Sequence, residues 1–310
     1  MVKWLKNILA VIIVAFLIWY LAKHWDNLRE LLKLSTSELA IIYFITSLSS
    51  INAGYTNKYL LKALDVKTPF WDMVLLQNAT YLLSYVPMKF STFFRANYLK
   101  HHYGLSYARF GTFFVYLALL LMLTATTVGL VILVTVYNLA GYEMKVLAAG
   151  FLAVLLVSLS FAFVPLPIPT GTSRLSINIR NFLTARHQLT QNKPTLLVCT
   201  ALLTVNFVLS STRLGIIYNA MGQHIHPAGF LVLGALGYFT MFINITPGSL
   251  GMRELVLGAA ATILGVPLGV GVLAAMIDRA IALSYSFVIG GLCATSLWHK
   301  SPADFKEAKT

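Results

Sequence analysis

Apolar residues run through this chain in long blocks, at 5–22, 38–61, 108–137, 143–164, 194–219 and 270–298. Each reaches the ~18–20 residues with which a helix crosses a hydrocarbon core about 30 Å thick, so the pattern predicts six spanning helices. Two other intervals, 70–103 and 227–265, differ. Each holds two shorter apolar segments parted by a proline: WDMVLLQNATYLLSYV runs up to Pro87, and GFLVLGALGYFTMFINIT runs up to Pro247. Neither half is convincing as a full crossing. Backbone that leaves helical geometry at membrane depth must be buried in protein or line a wet cavity, because lipid cannot satisfy its free N–H and C=O groups. The expected fold is therefore an all-α polytopic membrane protein, six spanning helices plus two re-entrant proline-broken hairpins, forming a single integral membrane domain over 1–310.

Composition supports this picture and removes some alternatives. Hydrophobic residues make up 58% of the chain and charged residues 11%, with a mean hydropathy of +0.77, against roughly a quarter charged in soluble proteins. The longest polar interval, 165–193, has room for one short helix but not for a fused catalytic domain. Cys199 and Cys293 lie inside apolar runs, where they read as small hydrophobes, not as a disulfide. Lys3 and Lys6 ahead of an apolar run resemble a secretory signal, but bulky Trp19 and Tyr20 stand where small cleavage-site residues are needed. An uncleaved first span is expected.

Charge gives the orientation. Lys and Arg accumulate in short loops on the cytoplasmic side. With the N-terminus inside and each hairpin returning to its side of origin, the basic residues of the 62–67, 100–109, 174–193 and 300–309 stretches, with Lys3, Lys6 and Lys58, are cytoplasmic. Only Lys23, Arg29, Lys33 and Lys145 fall outside. This predicts a multi-pass protein of the cell (inner or plasma) membrane with both termini cytoplasmic. Orientation and attraction to anionic lipid account for much of the +13 net charge, and nucleic acid is not needed as a partner.

The order of elements repeats. Span, broken hairpin, span over 38–137 is followed by one connecting span, then span, broken hairpin, span over 194–298. Three crossings separate the corresponding first spans, so the halves are expected to be inverted relative to one another. Inverted repeats with broken helices at matching positions point to a transport site near the midplane.

Five basic residues remain at membrane depth or in the hairpins, namely Lys89, Arg95, Arg213, Arg253 and Arg279, against the acids Glu254 and Asp278. Each charge at the centre of a span costs about 2.5–3.5 kcal/mol on insertion scales, so a surplus of three positive charges calls for an anionic visitor. Each group also has a plainer reading. Lys89 can snorkel to the headgroups, Arg95 can float in the interface on an amphipathic stretch, and Arg213 is expected to reach water or headgroups. Asp278 and Arg279 are neighbours whose side chains diverge by ~100° on a helix, so they need partners elsewhere. Pro247 and Gly248 end one half-helix, and the turn through Gly251 starts another whose N-terminus points inward, an anion site strengthened by Arg253. Glu254 is expected to pair with Arg95 of the facing hairpin or to carry a proton; the plainer alternative is an Arg-Glu brace between the hairpins.

Two stretches resemble the lysylphosphatidylglycerol synthase transmembrane-region family. In YVPMKFSTFFRANYLKHHYGLSYARFGTFFVY the likeness rests on Pro87, Arg95, Lys100, Gly104 and Ser106. In TPGSLGMRELVLGAAATILGVPLGVGVLAAMIDRAIALSYSFVIGG it rests on Pro247, Gly248, Gly251, Glu254, Gly265, Val266 and Arg279, with Ser249 where the family usually has a second glycine. The resemblance implies a membrane domain that moves lipid between leaflets, without the attached synthase domain of the fused members. The leading expectation is a lipid flippase that binds a phospholipid or polyprenyl-phosphate lipid through Arg253 and Arg95. Arg279 adds positive potential, Glu254 and Asp278 balance charge or carry protons, and Arg213 and Lys89 complete the candidate set. A catalytic or non-catalytic membrane subunit of lipid or cell-envelope glycan synthesis, partnered by such an enzyme, is the alternative. No HExxH, nucleophile elbow or intramembrane acidic cluster favours an enzyme, and the H-x-H of His224 and His226 lacks the ligands for zinc. No cofactor is expected. Glycines 265, 269, 290 and 291 permit close helix contact, within one chain or in a homo-oligomer.

Overall fold

The computed structural model describes residues 34–86, 90–139, 141–164, 173–240 and 252–299. All regular structure among them is helical: α1 (Thr36–Lys62), α2 (Phe70–Leu83), α3 (Phe90–Tyr103), α4 (Tyr107–Thr135), α5 (Gly141–Phe163), α6 (Arg174–Gln191), α7 (Lys193–Ala220), α8 (Pro227–Thr240), α9 (Met252–Ile263), α10 (Leu268–Tyr285) and α11 (Gly291–His299). A π-helical turn, Ser286–Gly290, joins α10 to α11. Five helices are long and apolar enough to cross a membrane: α1, α4, α5, α7 and the composite Leu268–Leu297. They match five of the six expected spans. The sixth, 5–22, lies outside the described residues, as do Pro87 and Lys89 and the turn containing Pro247, Gly248 and Gly251.

Local chemistry sets the helix ends. Ser35 and Glu38 form a reciprocal capping box on α1, and Ser106, Ser173 and Asn192 accept backbone N–H groups at the starts of α4, α6 and α7. These caps satisfy amides that the first turn leaves without partners. Prolines 69 and 267 precede α2 and α10, where a fixed φ and a missing N–H cost nothing. Two arginines cap the other kind of end. Arg109 donates to the Leu64 carbonyl just past α1, and buried Arg186 donates to Ala162 and Val164 at 3.0 and 2.6 Å at the end of α5. Both place positive charge at the negative pole of a helix. They account for two cations that the sequence assigns only to a loop face.

The two proline-broken intervals each form a pair of short helices, α2 with α3 and α8 with α9. The first halves pack reciprocally: α2 lies against the π turn and α11 at the end of the last span, while α8 lies against α4. Helices α1 and α7 make the largest contact between them. Apolar side chains collect in three clusters. One, around Leu60, Leu99, Phe113 and Leu189, lies where α1 ends and α4 begins; another, around Ile42, Tyr218, Leu257 and Ile277, lies where α1 and α10 begin; the third joins α4, α5 and α8 through Ala125, Phe151 and Ala235.

Glycine permits the tightest approaches. A Cβ on Gly271 would sit 2.9 Å from the Cα of Gly258, and one on Gly290 would sit 2.8 Å from the Asn78 carbonyl oxygen. Of the glycines expected to mediate close contact, Gly290 does so within this chain. Gly269 and Gly291 face open space, and Gly265 has a φ of +84°, so it terminates α9 as a left-handed cap.

Candidate functional site

Helices α9 and α10 carry adjacent charges of opposite sign, and they interlock. Arg253, in the first turn of α9, donates through Nη2 to Asp278 Oδ2 at 2.8 Å. One residue further along both helices, Arg279 Nη1 donates to Glu254 Oε1. Neighbours on a helix diverge too far to satisfy one another, so each charge is answered from the facing helix. The second Asp278 oxygen accepts from Arg213 Nε of α7 at 2.7 Å, and Arg213 Nη1 reaches Thr46 Oγ1 of α1 at 3.3 Å. Three helices thus meet at one carboxylate with no exposed surface, and a fourth, α1, joins through Arg213. Removing one member of a buried ion pair typically costs about 3–5 kcal/mol, because the remaining charge is left desolvated.

Arg213 therefore does not reach for water or headgroups, as its place in the span suggests; Asp278 holds it inside, and its side chain is 13% exposed. Nor does Arg95 pair with Glu254. Arg279 occupies that carboxylate, because α10 packs directly against α9 whereas α3 packs on α2 and α4. Arg95 is instead buried on α3, only 8% exposed. Its guanidinium lies 5.1 Å from the centre of the Phe113 ring, and its Nε has no hydrogen-bond partner among the described residues. The ring face offers a desolvated cation on the order of 2 kcal/mol, and it supplies no counter-charge.

Two phenols connect Arg95 to the Asp278 cluster. Tyr81 of α2 interacts electrostatically with both Arg95 and Arg213, and Tyr238 of α8 interacts with Tyr81, Arg213 and Arg253. Both tyrosines are half-buried. Among the described candidates, four guanidinium groups thus face two carboxylates.

Sequence reasoning passed over much of the surrounding polarity. A seam of amides and hydroxyls joins α1 to α2 and α7: Asn57 Nδ2 donates to Gln77 Oε1 at 2.7 Å, Ser50 donates to Asn78 Oδ1 at 2.8 Å, Asn52 donates to the Leu202 carbonyl at 2.6 Å, and Ser49 bonds to Asn206. The signal was present in SSINAGYTN, polar groups at helical spacing within a span. Tyr103 donates to buried Asp72 at 2.5 Å, a tie between the outer ends of the first broken pair. His226 Nδ1 accepts the Ala228 amide at 3.2 Å, which makes it a cap for α8. Among the described residues no three His, Cys, Asp or Glu side chains are grouped to hold a metal ion. A groove of about 600 Å³ bounded by Lys193, Leu197, Thr200 and Thr204 lies on α7, roughly two turns or more from Arg213 along the same helix; it is not part of the arginine cluster.

Comparison with curated proteins finds no match to the chain. The family model described as the lysylphosphatidylglycerol synthase TM region matches residues 7–290, a range that contains every charged group of the cluster. Five membrane-length helices and this match over nearly the whole chain agree on a multi-pass membrane protein with a lipid-related role. The chain belongs to the lysylphosphatidylglycerol synthase TM region family.

Proposed function

We propose that this protein is a transporter that moves a phosphate-bearing lipid between membrane leaflets, and that it is not itself an enzyme. The observation that carries the reading is the buried excess of guanidinium over carboxylate. Among the described residues Arg95 has no counter-anion, while Arg213 and Arg253 share Asp278. Such an excess is costly in a membrane interior unless an anion visits. Reciprocal packing of α2 on the last span and of α8 on α4 supports an inverted repeat of 38–137 and 194–298 with two re-entrant hairpins. In that arrangement the headgroup binds between the broken pairs, with its tails left in the bilayer. Arg253 and Arg95 hold the phosphate, and the Glu254–Arg279 pair braces α9 against α10. Lys and Arg distribution supports a cell-membrane location with both termini cytoplasmic.

Reconstitution tests this. In vesicles, the protein is expected to accelerate leaflet crossing of a phosphate-bearing lipid, and Arg253→Ala and Glu254→Gln are expected to reduce the rate by about tenfold or more, the scale of 1.4 kcal/mol, in variants that remain folded. A wild-type protein that leaves crossing at the background rate for anionic phospholipids and polyprenyl phosphates alike would remove the transport reading in favour of a subunit role.

A further inference from the structure

Charge bookkeeping at the site distinguishes kinds of phosphate. The Arg279–Glu254 pair is neutral, the Arg213–Asp278–Arg253 triad carries one surplus positive charge, and Arg95 carries another. Among the described residues, then, the charges with which Tyr81 and Tyr238 interact include two uncompensated positive ones. A phosphodiester carries one negative charge at neutral pH and offers two non-bridging oxygens, so it leaves one desolvated guanidinium without a counter-charge. A phosphomonoester carries about −1.5 to −2 and presents three strong acceptor oxygens. Three guanidinium groups keep donors for it: Arg95, whose buried Nε has no partner among the described residues, Arg213, which gives Nε to Asp278 and Nη1 to Thr46, and Arg253, which gives Nη2 to Asp278.

We propose that the site selects a lipid whose headgroup is a terminal phosphomonoester over lipids whose phosphate is diesterified. This rests on the transport reading for the lipid's route but not for its binding. Arg95 is the specificity-determining residue. It supplies the second surplus charge from the opposite broken pair, over the Phe113 ring, and no carboxylate among the described residues neutralises it. Tyr81 and Tyr238 add hydroxyl donors that a phosphate oxygen can accept from.

Dioleoyl phosphatidic acid and dioleoyl phosphatidylglycerol, identical in their tails, separate the two headgroup classes. Binding of each to the full chain in phosphatidylcholine nanodiscs, measured by native mass spectrometry, is expected to favour phosphatidic acid by about tenfold or more, the scale of one additional charge-assisted contact. Arg95→Gln is expected to bring the ratio close to one, and Arg95→Lys to retain part of it. Equal binding of the two lipids by the wild-type protein overturns the proposal, whether or not the Arg95 variants fold. Displacement of phosphatidic acid by inorganic phosphate at matching concentration overturns its lipid part and points to free phosphate. A parallel vesicle assay keeps the two readings apart. Preferential binding with no leaflet crossing refutes transport and sustains the selectivity, whereas equal crossing of both lipids with equal binding does the reverse.

Discussion

At the scale of single residues, Asp278 is the group on which most depends. It has no exposed surface and accepts from two arginines on different helices, so replacement by Asn leaves two guanidinium groups facing each other across a neutral amide. Asp278→Asn is expected to destabilise the folded protein by about 3–5 kcal/mol, read as a lower melting temperature in detergent. The double variant Asp278→Asn with Arg253→Gln should recover part of that loss. Full stability of the single variant would mean that the triad contributes nothing to the fold. The chain itself identified these residues as unusual, since charges within apolar runs need partners. It did not identify the partners. The choice of Arg279 over Arg95 for Glu254 depends on which helix lies against α9, and that is a matter of packing.

Between elements, close approaches at small residues and side-chain amide hydrogen bonds act beside the apolar clusters, as expected where lipid competes equally for apolar surface. Gly290, in the π turn, lets the last span approach the backbone of α2 at Asn78. Gly290→Leu would drive side-chain atoms into that carbonyl and is expected to cost about 1–3 kcal/mol through overpacking, measured as reduced thermal stability, while Gly269→Leu, in open space, should be close to neutral. A similar contrast probes the polar seam. Asn57→Leu strands Gln77 Oε1 in the protein interior and is expected to destabilise by about 1–3 kcal/mol, whereas the paired change Asn57→Leu with Gln77→Leu should be milder, because the stranded oxygen goes with it and only the Tyr81 hydroxyl loses its Gln77 partner. Helix positions were legible in the sequence from apolar length, Ser and Asn caps and Pro starts. The π turn was not, since nothing in SFVIG sets it apart from ordinary helix until Gly290 meets α2.

For the whole molecule, the testable quantity is sidedness. In a background lacking Cys199 and Cys293, a cysteine at Asp65 and one at Gln223 are expected to react with an impermeant thiol reagent from opposite faces of the membrane. Labelling of both from the same face would refute the inverted arrangement of the two halves. Apolar block length, break positions and charge distribution, all properties of the chain read locally, were enough to determine that this is a helical membrane protein with paired short helices after α1 and after α7. That follows because a lipid solvent forces each backbone segment to satisfy its own hydrogen bonds, so span length and composition report directly on structure. Tertiary structure alone decided which charges meet: Asp278 between Arg213 and Arg253, Glu254 with Arg279, and Arg95 left over an aromatic ring. Coulomb attraction between buried groups depends on distances of a few ångströms across helices far apart in the chain, and helical periodicity within one segment carries no information about them.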